Sequence, residues 1–168
     1  MNNIILIGMP GCGKTTIGKL LSAELNHEFI DSDAIFEETV CPDIKEYFVS
    51  HGEDSFRREE TNILSNLCQK DGYIISTGGG IVERSENKEI LQNGGTVVFI
   101  DRSPEDIVGD INTETRPLLL AEGKQRIYSL YNRRYAKYND FCHIRIENKG
   151  TLNQVTEKII KEVNKYNG

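Results

Sequence analysis

Apolar and polar positions alternate between two periods along this chain. Ile4-Ile5-Leu6-Ile7 is a continuous apolar run closed by Gly8, and it predicts a strand buried on both faces. From Lys14 the period lengthens, with Ile17, Leu20, Leu21 and Leu25 on one helical face. Glu28–Asp31 is short and strand-like, and a polar helical stretch runs from Ala34 to Lys70, broken at Pro42 and Gly52. Tyr73–Ser76 predicts a third strand, ending in Gly78-Gly79-Gly80, and Thr96–Ile100 a fourth. Ser103-Pro104 opens a helix, with serine as N-cap and proline at the first helical position. Residues 110–123 are polar and poorly periodic, which predicts an irregular lid, and Lys124–Lys137 reads as helix. Cys142–Ile146 predicts a fifth strand. The capping box of Thr151 and Gln154 then opens a last helix with Leu152, Val155, Ile159 and Val163 on one face. Strands alternating with helices imply an α/β fold: one domain over residues 1–168, with five parallel strands between helical layers.

Charge narrows the partners. The chain has 168 residues and a formal net charge of -6, so nothing in bulk draws it to nucleic acid or an anionic membrane. An anionic ligand must be held by locally placed cations. Cys12, Cys41, Cys68 and Cys142 form no C-x-x-C pair. No apolar run approaches the roughly 20 residues of a membrane span, and no cleavable leader precedes Asn3. These features predict a cytoplasmic protein with reduced thiols; a monomer is expected as well.

Those cations are easiest to place near the N-terminus. Gly8-Met9-Pro10-Gly11-Cys12-Gly13-Lys14-Thr15 matches G-x-x-x-x-G-K-[ST], with a strand before it and a helix after. Glycines let successive backbone N–H groups turn inward toward phosphate oxygens, and the helix presents its positive end to the same anion. Lys14 can bridge the β- and γ-phosphates of ATP, and the Thr15 hydroxyl can bind Mg²⁺. The expected ATP site is therefore Gly11, Cys12, Gly13, Lys14, Thr15 and Thr16. Cys12 is at a free position of the motif, where an activated thiol and a spectator are both open readings. A GTPase would need N-K-x-D. Asn87-Lys88-Glu89-Ile90 and Asn148-Lys149-Gly150-Thr151 both lack the aspartate.

Asp31-Ser32-Asp33 closes the second strand, at the sheet end where ligands of open α/β folds gather. Two aspartates at that spacing can divide metal and base duties, or simply cap the next helix. Phe56-Arg57-Arg58-Glu59-Glu60 follows, then Gly78-Gly79-Gly80, then Arg116-Pro117-Leu118-Leu119, then Arg134 with Tyr138. With the phosphate loop, this ordered set resembles shikimate kinase from Ile4 to about Tyr138. The resemblance implies a P-loop fold with a substrate-binding insertion at about 32–60 and a lid at about 110–123. It also implies transfer of the ATP γ-phosphate to the 3-hydroxyl of shikimate, a step toward chorismate and the aromatic amino acids. It implies Asp31 on the Mg²⁺ side and Asp33 as the base that meets the acceptor hydroxyl. Arg57 and Arg134 would clamp the shikimate carboxylate, Glu60 would hold Arg57, and Gly79 and Gly80 would offer backbone donors. Arg116 would be the lid arginine that reaches the transferring phosphate and the nucleotide.

Some positions depart from that family. A basic residue common ahead of the R-P-L-L motif is absent from Val108-Gly109-Asp110-Ile111, and a proline usual between the clamp arginine and Tyr138 is Ala136. Arg133 competes with Arg134 for the clamp. Asp101, after four apolar residues, resembles a Walker B carboxylate and competes with Asp31 for the metal. Phe48 and Phe56 suit either the acceptor ring or the core. A gluconate kinase, a nucleotide kinase and a nucleotide-binding regulator without catalysis are the rival readings. The chain lacks the tryptophan of the gluconate kinase acceptor motif and shows no nucleobase pocket in its sequence.

Overall fold

A computed structural model describes residues 2–110 and 117–168, leaving aside the side chains of residues 117–121. Five strands form one sheet: β1 (Asn3–Ile7), β2 (Glu28–Asp31), β3 (Tyr73–Ser76), β4 (Gly95–Asp101) and β5 (Ile144–Glu147). Their order is β2-β3-β1-β4-β5, and every pairing is parallel. The central strand β1 is buried along its whole length, as its unbroken apolar run requires. Parallel pairing forces each connection to cross back over the sheet, so all five strands point their carboxyl ends to the same edge.

The crossovers are mostly helical. α1 (Lys14–Leu25) follows β1, and α8 (Leu152–Asn167) follows β5; the two pack together against the sheet. Ile17 and Leu21 face the core from α1, and Val155, Ile159 and Val163 from α8. Between β2 and β3 lie α2 (Ser32–Thr39), α3 (Ile44–His51) and α4 (Glu53–Leu67). The breaks expected at Pro42 and Gly52 separate these three helices. Gly52 has φ 82°, a left-handed conformation that suits glycine. α5 (Glu86–Gly94) and α7 (Pro117–Phe141) form a second helical group with α4, and α6 (Pro104–Gly109) is short. Ser103 caps α6 through Asp106 N at 3.2 Å, and the Thr151–Gln154 capping box opens α8.

Three expectations need correction. The lid segment was expected to be irregular through residue 123, yet α7 begins at Pro117, which takes the first helical position where its missing N–H is no loss. The fifth strand begins at Ile144, because the Cys142 N–H still bonds back to Tyr138 O at 3.1 Å and closes α7. Leu152 does not join the core face of α8. It is 43% exposed at the helix's first residue, beside the cleft described below. The remaining lid positions, including Arg116, lie outside the described residues. Among the described residues no helix is long and apolar enough to cross a membrane.

Candidate active site

All five strand ends contribute to one cavity of about 860 Å³. The loop after β1 supplies Pro10, Gly11, Gly13, Lys14, Thr15 and Thr16; β2 supplies Asp31 and then Asp33; β3 supplies Ser76 through Gly79. Arg102 comes from the end of β4, and Asn148, Lys149 and Gly150 from the end of β5. A parallel sheet leaves its crevice at this edge, so the position follows from topology.

The loop between β1 and α1 needs its glycines. Gly11 and Gly13 have φ of 78° and 99°, and Gly13 caps α1 without any side-chain hydrogen bond. The first turn of α1 therefore keeps N–H groups that no side-chain cap satisfies, directed at the cavity's loop side. Lys14 is buried, donating to Gly8 O at 2.7 Å and Met9 O at 2.9 Å. Cys12 is fully buried, with Sγ 3.6 Å from Lys14 Nζ, so it packs inside the loop rather than facing the cavity.

Across from the loop, the Thr15 hydroxyl donates to Asp31 Oδ2 at 3.2 Å. The other Asp31 oxygen caps α2 by accepting from Asp33 N at 2.9 Å. Capping and site geometry are thus one arrangement rather than alternatives. Asp33 is held above the usual carboxylate range by burial and then by the Asp31 charge, while Lys14 and Arg57 oppose the shift. The charges of Lys14 in the loop and of Arg57 on α4 therefore both act on Asp33.

Arg57, on α4, bonds Glu60 at 2.9 Å, with Glu53 farther off at 3.6 Å. Its Nε is buried with no hydrogen-bond partner among the described residues. Burial pushes Glu60 up from the ordinary value, although Arg57 and, more weakly, Arg134 pull it down. Of the two arginines, only Arg57 bonds Glu60 directly. Arg134, on α7, is buried and bonds Glu83 through Nε at 2.7 Å, whereas the Arg133 side chain is 55% exposed. Arg57, Glu60, Gly80 and Arg134 are not among the residues lining this cavity.

Gly78–Gly80 is glycine for reasons of space. None of the three has positive φ. A Cβ on Gly78 would come 2.8 Å from Glu60 Oε1 and 2.9 Å from Asp33 Oδ1, one on Gly79 2.6 Å from Pro10, and one on Gly80 would collide with the Arg57 guanidinium. Tyr138 donates to Gly79 O at 2.6 Å and fixes the loop from behind.

The competing positions separate. Asp101 is paired with Arg145 at 2.6 Å and accepts from Tyr131 at 3.2 Å, so its oxygens are already engaged away from Thr15. Phe56 is buried between Phe36 and Phe48 with ring centroids 5.1 and 5.7 Å away, which is core packing. Arg102, Asn148 and Lys149 were not expected in the site. Arg102 donates to Gly11 O at 3.0 Å and Asn148 to Cys12 O at 2.8 Å. Their legible signals were position, just beyond a predicted strand, and for Asn148 and Lys149 the incomplete N-K-x-D match. Glu83 and Ser32 carried none; Ser32 Oγ accepts from Gly78 N at 3.3 Å.

Comparison with known proteins agrees with this geometry. The family model described as shikimate kinase matches residues 10–164. A shikimate kinase of Clostridium botulinum (strain Alaska E43 / Type E3) is 48% identical, covering 95% of this chain and 96% of its own. Another, from Clostridium beijerinckii, is 42% identical over 96% of this chain and 94% of its own. Among solved structures, a shikimate kinase from Acinetobacter baumannii in complex with shikimate superposes with TM-score 0.89 at 32% identity, covering 99% of this chain and 94% of its own. A gluconokinase from Sinorhizobium meliloti reaches TM-score 0.64 at 14% identity, covering 98% and 93%, a likeness of fold alone.

Proposed function

The chain belongs to the shikimate kinase family, and on that premise we propose that it transfers the γ-phosphate of ATP to the 3-hydroxyl of shikimate, yielding ADP and shikimate 3-phosphate. The observation that carries the assignment of roles is the place of Asp33, which lines the cavity with Lys14 on the phosphate side and faces Gly78 together with Glu60, the partner of Arg57, on the acceptor side. A base belongs at that junction, because the acceptor oxygen must meet both the base and the γ-phosphorus.

In this reading the loop N–H groups and Lys14 hold the phosphates of ATP. Arg57 and Arg134 hold the shikimate carboxylate. A planar guanidinium meets a carboxylate through paired, charge-assisted bonds, each worth about 1.5–3 kcal/mol. The unmet Nε of Arg57 leaves that side chain with hydrogen-bonding capacity to spare. The 3-hydroxyl oxygen attacks the γ-phosphorus, its proton passes to Asp33, and the bond to the β-phosphate oxygen breaks to release ADP. A carboxylate raised by burial is a better proton acceptor than an exposed one. Arg116, assigned from sequence, is the proposed partner of the transferring phosphate. Catalysis here is alignment and charge stabilisation, without a covalent enzyme intermediate.

Mg²⁺ belongs to the same proposal. Thr15 and Asp31 place two hard oxygen donors within 3.2 Å of each other beside the phosphate loop. Among the described residues no group of three or more His, Cys, Asp or Glu side chains could hold a metal. A cation held by few protein oxygens plus phosphate and water fits the habits of Mg²⁺. When bound, it neutralises phosphate charge. We also take the protein to act as a cytoplasmic monomer.

ADP release by purified protein with Mg-ATP, with and without shikimate, tests the reading. Strong shikimate-dependent release is expected. Release that ignores shikimate but follows gluconate or a nucleotide would replace the acceptor, and ATP binding without turnover on any of them would point to a regulator.

A further inference from the structure

Three cations of α7 converge on one carboxylate to which the proposed reaction gives no role. Glu83 accepts from Arg134 Nε at 2.7 Å, from Arg133 Nη2 at 3.1 Å and from Lys137 Nζ at 3.4 Å. It closes the 3₁₀ turn Ile81–Glu83 that directly follows Gly78–Gly80. The pair with Arg134 is the buried one: the side chains are 6% and 15% exposed, against 55% for Arg133. A buried arginine with a single close carboxylate loses both charge compensation and orientation when that carboxylate is removed.

We propose that Glu83 is a positioning residue for acceptor binding, gripping Arg134 by its Nε so that the Nη end of the guanidinium stays aimed at the substrate carboxylate. A guanidinium has five N–H donors in a rigid plane, so an acid bound at Nε leaves most of the terminal fork for a second acid. The grip also sets register. One turn beyond Arg134, Tyr138 is tied to Gly79 O at 2.6 Å. α7 is therefore stitched to the glycine loop at two points, Glu83 and Gly79. The backbone that faces the acceptor and the arginine that holds its carboxylate move as one unit. Arg133 and Lys137 add charge to Glu83 from the solvent side.

The inference rests on Arg134 as an acid-clamp residue, and steady-state kinetics and calorimetric shikimate titration of the full chain test it. Glu83→Gln and Glu83→Ala are expected to raise both KM and Kd for shikimate about tenfold or more, because small misplacements of a positioning group are costly. KM for ATP is expected within about twofold of wild type. Arg133→Ala is expected to leave the shikimate KM unchanged. In an Arg134→Ala background, Glu83→Gln should add nothing further, since the effect passes through Arg134. A folded Glu83→Gln protein with a lower Tm but an unmoved shikimate KM would reduce Glu83 to a structural ion pair and overturn the inference. An additive effect in the double variant would overturn it too. If Glu83→Ala does not fold, the isosteric glutamine variant decides alone. Wild-type protein without shikimate-dependent turnover would sink the functional reading and this inference together, whereas normal wild-type turnover with unmoved variants sinks only the role of Glu83.

Discussion

Gly80 lies so close to Arg57 that a Cβ on the glycine would overlap the guanidinium group. The backbone there, φ -91° and ψ 10°, lies in the negative-φ region that L residues adopt at turns, so alanine meets no left-handed strain. Gly80→Ala is therefore a purely steric probe of Arg57. It is expected to push the guanidinium off Glu60 and raise the shikimate KM about tenfold, with ATP affinity kept. An unchanged KM in a folded variant would separate Arg57 from acceptor binding. Arg57→Ala should be more severe, about 10- to 100-fold in KM, as the loss of charge-assisted bonds implies.

With Asp33 as the proposed base, the pH dependence follows from its surroundings. Burial first, and the Asp31 charge second, raise it above the ordinary aspartate value. A base must be deprotonated to act, so activity should fall as pH drops through that raised pKa, placing the acid limb of kcat/KM above the usual aspartate range. Asp33→Asn should cut kcat by about 10²- to 10⁴-fold with ADP binding nearly intact. Glu37→Gln, which removes a neighbouring negative charge that also raises Asp33, should move the limb to lower pH. A limb that stays put would assign the titration to another group.

How much of this was legible in the chain depends on the kind of signal. β1 and the phosphate loop carry their own evidence, because an unbroken apolar run and a glycine pattern are local consequences of burial and backbone geometry. Arg57 and Glu60 were legible only as members of an ordered set, since an i, i+3 ion pair on a helix is otherwise unremarked. Glu83 was not legible at all: its partners are about fifty positions away, at Arg133, Arg134 and Lys137, and only the packing of α7 against the glycine loop joins them. The Asp31 cap and the Thr15–Asp31 contact show the same limit. A D-x-D turn reads as cap or site, and the fold makes it both.

That contact makes the metal separable from the nucleotide. If Thr15 and Asp31 hold Mg²⁺ together, Asp31→Asn should raise the Mg²⁺ concentration giving half-maximal rate about tenfold or more, with metal-free ADP binding little changed. Chelation with EDTA should abolish turnover reversibly. An unaltered Mg²⁺ requirement in Asp31→Asn would move the metal role to another residue.

Acid stability offers a test of the Glu83 cluster that needs no substrate. Burial alone would raise the Glu83 pKa, but the hydrogen bond and charge of Arg134, with Arg133 and Lys137, hold it down at about 2 against an ordinary 4.5. The native state therefore releases this proton more readily than the unfolded chain. Its stabilisation is complete above about pH 4.5 and disappears as pH falls through about 2. Glu83→Gln should lower Tm near neutral pH by on the order of 5 °C. The gap between variant and wild type should then close progressively across that acid window, because protonated glutamic acid and glutamine are nearly equivalent partners. Other carboxylates titrate in both proteins and largely cancel in the difference. A gap of constant size across that window would mean that packing, not the charge on Glu83, ties α7 to the glycine loop.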